Sequence, residues 1–206
     1  MYRCRAVSVE GFIQQLAVSY VARGYWFYMK GWIPRGKDPE AVDRKLIRRY
    51  RIDVSKWERA RRKRAGLANV HYLRCGRTFV LIATHGQHRF FEDERNVLRD
   101  VRRVPFKFGG YSVSYRNGHA SVRIDRETYQ RVKAHLLGLA VRRSGEGLAE
   151  ELGGLPFEPY APVRRQLLNL HRAVNRSRKA AGLGTLPIES LRLRRRVVKP
   201  FGPEGG

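Results

Sequence analysis

Apolar residues at Val9, Phe12, Ile13, Leu16, Ala17, Tyr20 and Val21 recur at intervals of three and four, the period of one helical face. Ser8 precedes this run and Gly24 follows it, a cap and a stop, so the pattern predicts a helix between them. Residues 25–33 are rich in aromatics and bounded by Gly24 and Pro34, as a central, largely buried strand would be. Asp38-Pro39-Glu40 marks a further helix start. Val42, Leu46, Ile47 and Tyr50 give that helix an apolar face beneath a basic one. A second short helix fits residues 54–65.

Two strands, 68–74 and 77–84, are predicted to join at Cys75-Gly76 as a hairpin. A second hairpin pairs 106–115 with 119–124 around Arg116-Asn117-Gly118, a strong turn sequence. Asp125 caps a helix to about residue 141, with Tyr129, Val132, Leu136, Leu137 and Ala140 on its apolar stripe. Residues 142–162 read as a linker with a short helix at 148–152. A basic amphipathic helix over 162–181 ends at Gly182. The tail from Ser190 is predicted to dock as a strand and end flexibly. These elements imply an α+β fold: an antiparallel or mixed sheet with a ferredoxin-like split βαβ core, helices on one face and a C-terminal basic helix. The expected organisation is a core over 1–145, a linker over 146–161, and the basic helix and tail over 162–206.

Charge then narrows the function. Lys and Arg number 43 against 18 Asp and Glu, a net charge of +25, and 34 of the cations are Arg. Such a body attracts polyanions, and the forked guanidinium suits phosphate. No run approaches the eighteen apolar residues of a membrane span, so nucleic acid is the expected partner and a membrane is not. Cys4 and Cys75 are too few for a disulfide framework. The first ten residues lack the apolar stretch of an export signal. A cytoplasmic or nucleoid-associated protein is expected.

The densest cations are Arg59, Arg61, Arg62, Lys63 and Arg64; then Arg164, Arg165, Arg172, Arg176, Arg178 and Lys179; then Arg192, Arg194, Arg195 and Arg196. These are the predicted phosphate contacts. Tyr28, Trp32, Trp57, Tyr111 and Tyr115 are predicted to stack on unpaired bases, whereas Trp26, Phe27, Phe79 and Phe106 are predicted to be buried. The Arg bias and the absence of a helix-turn-helix favour structured or single-stranded RNA over DNA, with a larger ribonucleoprotein as a natural setting. This reading needs no cofactor.

A second reading starts from His85, His88 and the carboxylates Glu92, Asp93 and Glu94, side chains able to ligate zinc, manganese or magnesium. With the buried strand before them and Tyr129 and Lys133 on a later helix, the order partly resembles rolling-circle replication initiators and related single-strand transposases. That resemblance implies a ferredoxin-like core, a divalent metal on His85 and His88, a nucleophilic Tyr129 with Lys133 beside it, and DNA nicking or strand transfer in a mobile element. The spacing departs from that family, which separates its histidines by one residue; here Gly86 and Gln87 intervene. His71 and Cys75, four apart on a strand, could share a face and join such a site. No phosphate-cradling glycine loop or nucleophile elbow is present.

Overall fold

The computed structural model describes residues 2–196 and 198–202, and divides the chain into two units. Within the described residues the first unit takes in the chain to 108, residues 113–121 and the segment from 198. The second takes in 109–112 and 122–196. The fold is α+β, and among the described residues no helix is long and apolar enough to cross a membrane.

In the first unit β1 (Arg5–Ala6), β2 (Tyr25–Trp32), β3 (Val70–Cys75), β4 (Thr78–Thr84) and β5 (Arg99–Asp100) form a mixed sheet ordered β1-β3-β4-β2-β5. β4 runs antiparallel to both β2 and β3. The connection from β2 to β3 through α2 (Pro39–Arg49) and α3 (Lys56–Arg64) is therefore a split βαβ crossover. A ferredoxin-like core would continue with a second long helix and a full edge strand. Here α4 (Arg89–Asp93) has five residues and β5 has two, while β1 adds a parallel strand beside β3.

The elements start where short side chains cap them. Ser8, Asp38 and Ser55 accept backbone N–H bonds at the starts of α1 (Val9–Gln14), α2 and α3, satisfying donors a helix leaves unpaired. α1 continues as a π-helical segment, Gln15–Tyr20, and one 3₁₀ turn before Gly24 stops it at φ +92°. Phe12, Ile13, Leu16 and Val21 are fully buried along it. Tyr50, Ile52, Tyr72, Leu81 and Phe90 share one apolar cluster, which fixes α2 and the 50–52 turn on the sheet.

The predicted single strand over 106–115 is instead β6 (Phe106–Phe108) and β7 (Tyr111–Arg116). Gly109 and Gly110, at φ +57° and +80°, turn the chain between them, a conformation glycine adopts without steric cost. With β8 (His119–Ile124) they form a three-stranded sheet ordered β6-β7-β8.

In the second unit Asp125 caps α5 (Arg126–Leu139), Ser144 caps α6 (Gly145–Gly153), and α7 (Ala161–Ala180) packs against α5. Leu136, Leu148, Leu152, Val163, Leu170 and Val174 are buried among these helices. The predicted tail strand does not form: residues 191–196 and 198–202 contain no strand. Its later segment docks irregularly, Val7 donating to the Pro200 carbonyl and the Gln14 side chain to that of Val198. The flexible end predicted beyond falls at 203–206, outside the described residues.

Candidate nucleic-acid interface

α2 presents its two faces to opposite tasks. Asp43, on the inner face, accepts from Arg74 Nε and Nη2 at 2.8 and 2.7 Å and from the Tyr72 hydroxyl. Both members of the ion pair are buried. This bolts α2 to β3 and leaves Arg44, Lys45, Arg48 and Arg49 exposed on the other side. Arg44 with Arg48, and Lys45 with Arg49, stand four residues apart. Like charges at that spacing oppose helix formation by roughly 0.2–0.5 kcal/mol a pair, offset in part by the Arg44–Asp38 and Arg49–Asp93 ion pairs.

These side chains line the first lobe of a groove, about 570 Å³, whose far wall is Arg89 of α4. Asp93 holds Arg49 and Arg89 in place, at 3.0 and 3.2 Å; their guanidinium groups keep its carboxyl below the usual range. Arg44 and Arg48 also line the next lobe, about 480 Å³, with Arg51, Asp53 and Tyr2. Tyr2, Asp53 and Val54 in turn line a third, about 530 Å³, where Arg3, Arg23, Lys56 and Arg59 converge. Shared walls make the lobes one basic track across the first unit.

The floor of the third lobe is a stack of rings. His71 lies 4.5 Å from Tyr20 and 5.9 Å from Tyr2, nearly parallel to both, and is hydrogen-bonded to the Tyr2 hydroxyl. Burial, helped by the Arg59 charge, pushes its pKa down to about 3. The unfolded chain therefore takes up a proton near pH 6.5 that the folded chain refuses. Stability is full above about pH 6.5 and is lost as pH falls from there toward 3. At about 1.4 kcal/mol per pH unit, His71 is expected to remove about 2 kcal/mol between pH 7.5 and 5. Urea titrations at the two pH values check this, because His71→Gln should flatten the difference.

The cations read from sequence divide in two. On α3, Arg61, Lys63 and Arg64 are exposed and share the outer face with Trp57, which is 84% exposed. Arg62 turns inward, donating to the Arg51 carbonyl at 3.2 Å and pairing with Glu58. Arg59 is half-buried against the Ile52 carbonyl and lines the groove. On α7, Arg165, Arg172, Arg176 and Lys179 form one exposed stripe, about 21 Å long at 1.5 Å per residue. Arg164 is exposed and donates to the Leu193 carbonyl. Arg178 is buried and clamps the carbonyls of Gly184, Ala140 and Arg143, so it organises the helix end instead of meeting a ligand. Arg192 likewise pairs with buried Glu158 at 2.9 Å, Arg195 lies 4.2 Å over the Tyr160 ring, and Arg194 and Arg196 are exposed.

Of the rings proposed to stack on bases, Trp32 and Trp57 are exposed. Tyr115 is half-buried, with its hydroxyl on the Gly118 carbonyl. Tyr28 and Tyr111 are corrected to core positions: 2% and 1% exposed, with hydroxyls donating to the carbonyls of Val104 and Pro156. A buried tyrosine is stable where its O–H finds such a partner.

The histidine cluster is a piece of local architecture. His88 Nδ1 accepts from the Phe90 N–H and caps α4. Gly86 and Gln87 are laced to the turn before β3, Ala68 donating to the Gln87 carbonyl and Gln87 to that of Gly66. Among the described residues no group of three or more His, Cys, Asp and Glu could hold a metal ion. Tyr129 and Lys133 are half-buried in the second unit, and burial raises the Tyr129 pKa, opposite to what an activated nucleophile needs. Burial also raises the thiol pKa of Cys75 and, with the Asp43 charge, takes that of Cys4 to about 12.

The α2 face and Arg89 were not among the residues singled out from sequence. The available signal was the i, i+4 pairing of Arg44 with Arg48 and of Lys45 with Arg49, opposite the apolar stripe. No protein-family model matches the chain, and no curated protein matches it.

Proposed function

We propose that the protein binds nucleic acid, RNA in preference to DNA, with a single-stranded stretch lying along the basic groove of its first unit. The observation that carries the proposal is the groove itself, whose lobes share Arg44, Arg48 and Tyr2. Nonspecific strand binding calls for a positive track that follows the backbone and exposed rings on which bases stack. The track is present, and Trp57 offers a ring beside the cations of α3. The α7 stripe and the exposed tail arginines serve as further phosphate contacts. This reading needs no cofactor, fits a subunit of a ribonucleoprotein, and places the protein in the cytoplasm or on the nucleoid.

Fluorescence anisotropy with a labelled 12-nucleotide RNA over a salt series tests it. The wild type should lose affinity linearly in log salt. Arg44→Gln/Lys45→Gln/Arg48→Gln should weaken binding ten- to a hundredfold near 0.15 M salt and flatten the slope by about 2, since each single-strand phosphate contact contributes about 0.7. Trp57→Ala should weaken binding through lost stacking, about 1–3 kcal/mol, and leave the slope unchanged. Salt-independent or absent binding by the wild type would overturn the proposal.

A further inference from the structure

The third lobe differs from the rest of the groove in how many parts of the chain line it. The first two lobes lie against α2, whereas the third takes its lining from five chain segments: Tyr2 and Arg3, the π-helical segment with Arg23, residues 53–59, His71, and Phe201. The C-terminal segment closes one side, where Arg3 donates to the Gly202 carbonyl and lies 5.2 Å over the Phe201 ring. A strand lying along the groove reaches this lobe past Tyr2, Asp53 and Val54, which line both it and its neighbour.

Its chemistry fits a small, highly charged group. Four cations, Arg3, Arg23, Lys56 and Arg59, face it against one carboxylate, Asp53. Arg23 and Lys56 are exposed and have no ion pair among the described residues. Arg59 holds the Ile52 carbonyl with Nη2, while its buried Nε has no partner among the described residues. The π-helical segment adds neutral hydrogen-bonding groups in Gln15, Ser19 and Tyr20. Gln15 accepts from the Ser19 hydroxyl at 3.1 Å. Wider turns of this kind recur at functional sites. The stacked floor is uncharged, so none of the cationic surplus is met from below.

From this we infer that the third lobe is a pocket for a phosphomonoester, the phosphorylated end of the strand that the groove carries. A monoester bears close to two negative charges at neutral pH, against one for each backbone diester, so its charge suits a lobe where four cations from separate chain segments converge on one carboxylate. The inference rests on the nucleic-acid reading for its strand. The pocket's preference for a monoester stands independently of it, because a free nucleotide carries the same group.

The test compares 12-nucleotide RNAs of one sequence, labelled at the opposite end, that carry a 5′-phosphate, a 3′-phosphate or hydroxyls at both ends. At 0.2 M salt one phosphorylated end should bind the wild type about tenfold more tightly than the hydroxyl form. Arg23→Gln and Lys56→Gln, whose side chains make no ion pair among the described residues, should each erase most of that preference. Arg48→Gln should weaken all three RNAs alike. Equal affinity of the wild type for the three RNAs would overturn the inference. If no RNA binds but adenosine 5′-monophosphate raises the Tm of the wild type and not of Arg23→Gln, the pocket stands and the strand reading fails. If neither ligand acts, both fail.

Discussion

Gly86→Ala should be among the most damaging single substitutions in the chain, lowering stability by about 3–5 kcal/mol. Two effects add. Gly86 sits at φ +136°, a conformation that L side chains rarely adopt. A Cβ there would also lie 2.6 Å from both the Ala68 nitrogen and the Gly66 oxygen, and neither can rotate away because both belong to the backbone laced to Gln87. The strand end, the cap of α4 and the chain entering β3 would have to separate. Urea denaturation should show the midpoint falling by more than 1 M for a slope of 1–3 kcal/mol/M. Gly138→Ala is the control, since nothing lies within 4 Å of its added Cβ and alanine favours a helix interior by up to about 1 kcal/mol. Equal stability of the two variants would refute the close-approach account.

Asp43→Ala should cost about as much, 3–5 kcal/mol, because it leaves a buried guanidinium without its counter-charge. Arg74 is 5% exposed and Asp43 6%. The carboxylate also accepts from Tyr72 and lies 3.8 Å from Cys4 Sγ, so its loss strands several donors at once. At about 2–4 °C per kcal/mol for a chain of this size, Tm should fall by roughly 10 °C in calorimetry. Asp43→Ala/Arg74→Leu should recover a large part of the loss, since removing both charges leaves nothing unpaired. A single variant as stable as the wild type would show that the pair does not anchor α2. Because the same helix carries Arg44 and Arg48 on its outer face, the loosened protein should also bind RNA less tightly at temperatures where it remains folded.

Much of the local structure was legible because its causes are local. Ser8, Asp38 and Asp125 cap helices where their residue types predict, and Gly24 and Gly182 end them in the left-handed conformation. The division of 106–115 was missed although Gly109-Gly110 was its visible cause. The cation runs on α3 and α7 were legible as charge, but their orientation was not. Arg62 and Arg178 face inward because carbonyls left open by the 51 turn and by the end of α5 need donors there. Such acceptors come from other elements, and no spacing within one helix reveals them.

From the sequence alone follow the longer helices and strands, several of their caps, the α+β class and the size of the positive charge, since each depends on residue type and short-range period. Tertiary structure alone decided which cations work together. Arg44 and Arg48 stand forty-odd residues from Arg89 and as many from Tyr2, and they share a groove because the apolar cluster and the Asp43–Arg74 pair hold α2 on the sheet with its basic face outward. Charge is additive along a chain, so composition reports its total. A groove needs charges from distant segments held at fixed positions, and that comes only with the packed core.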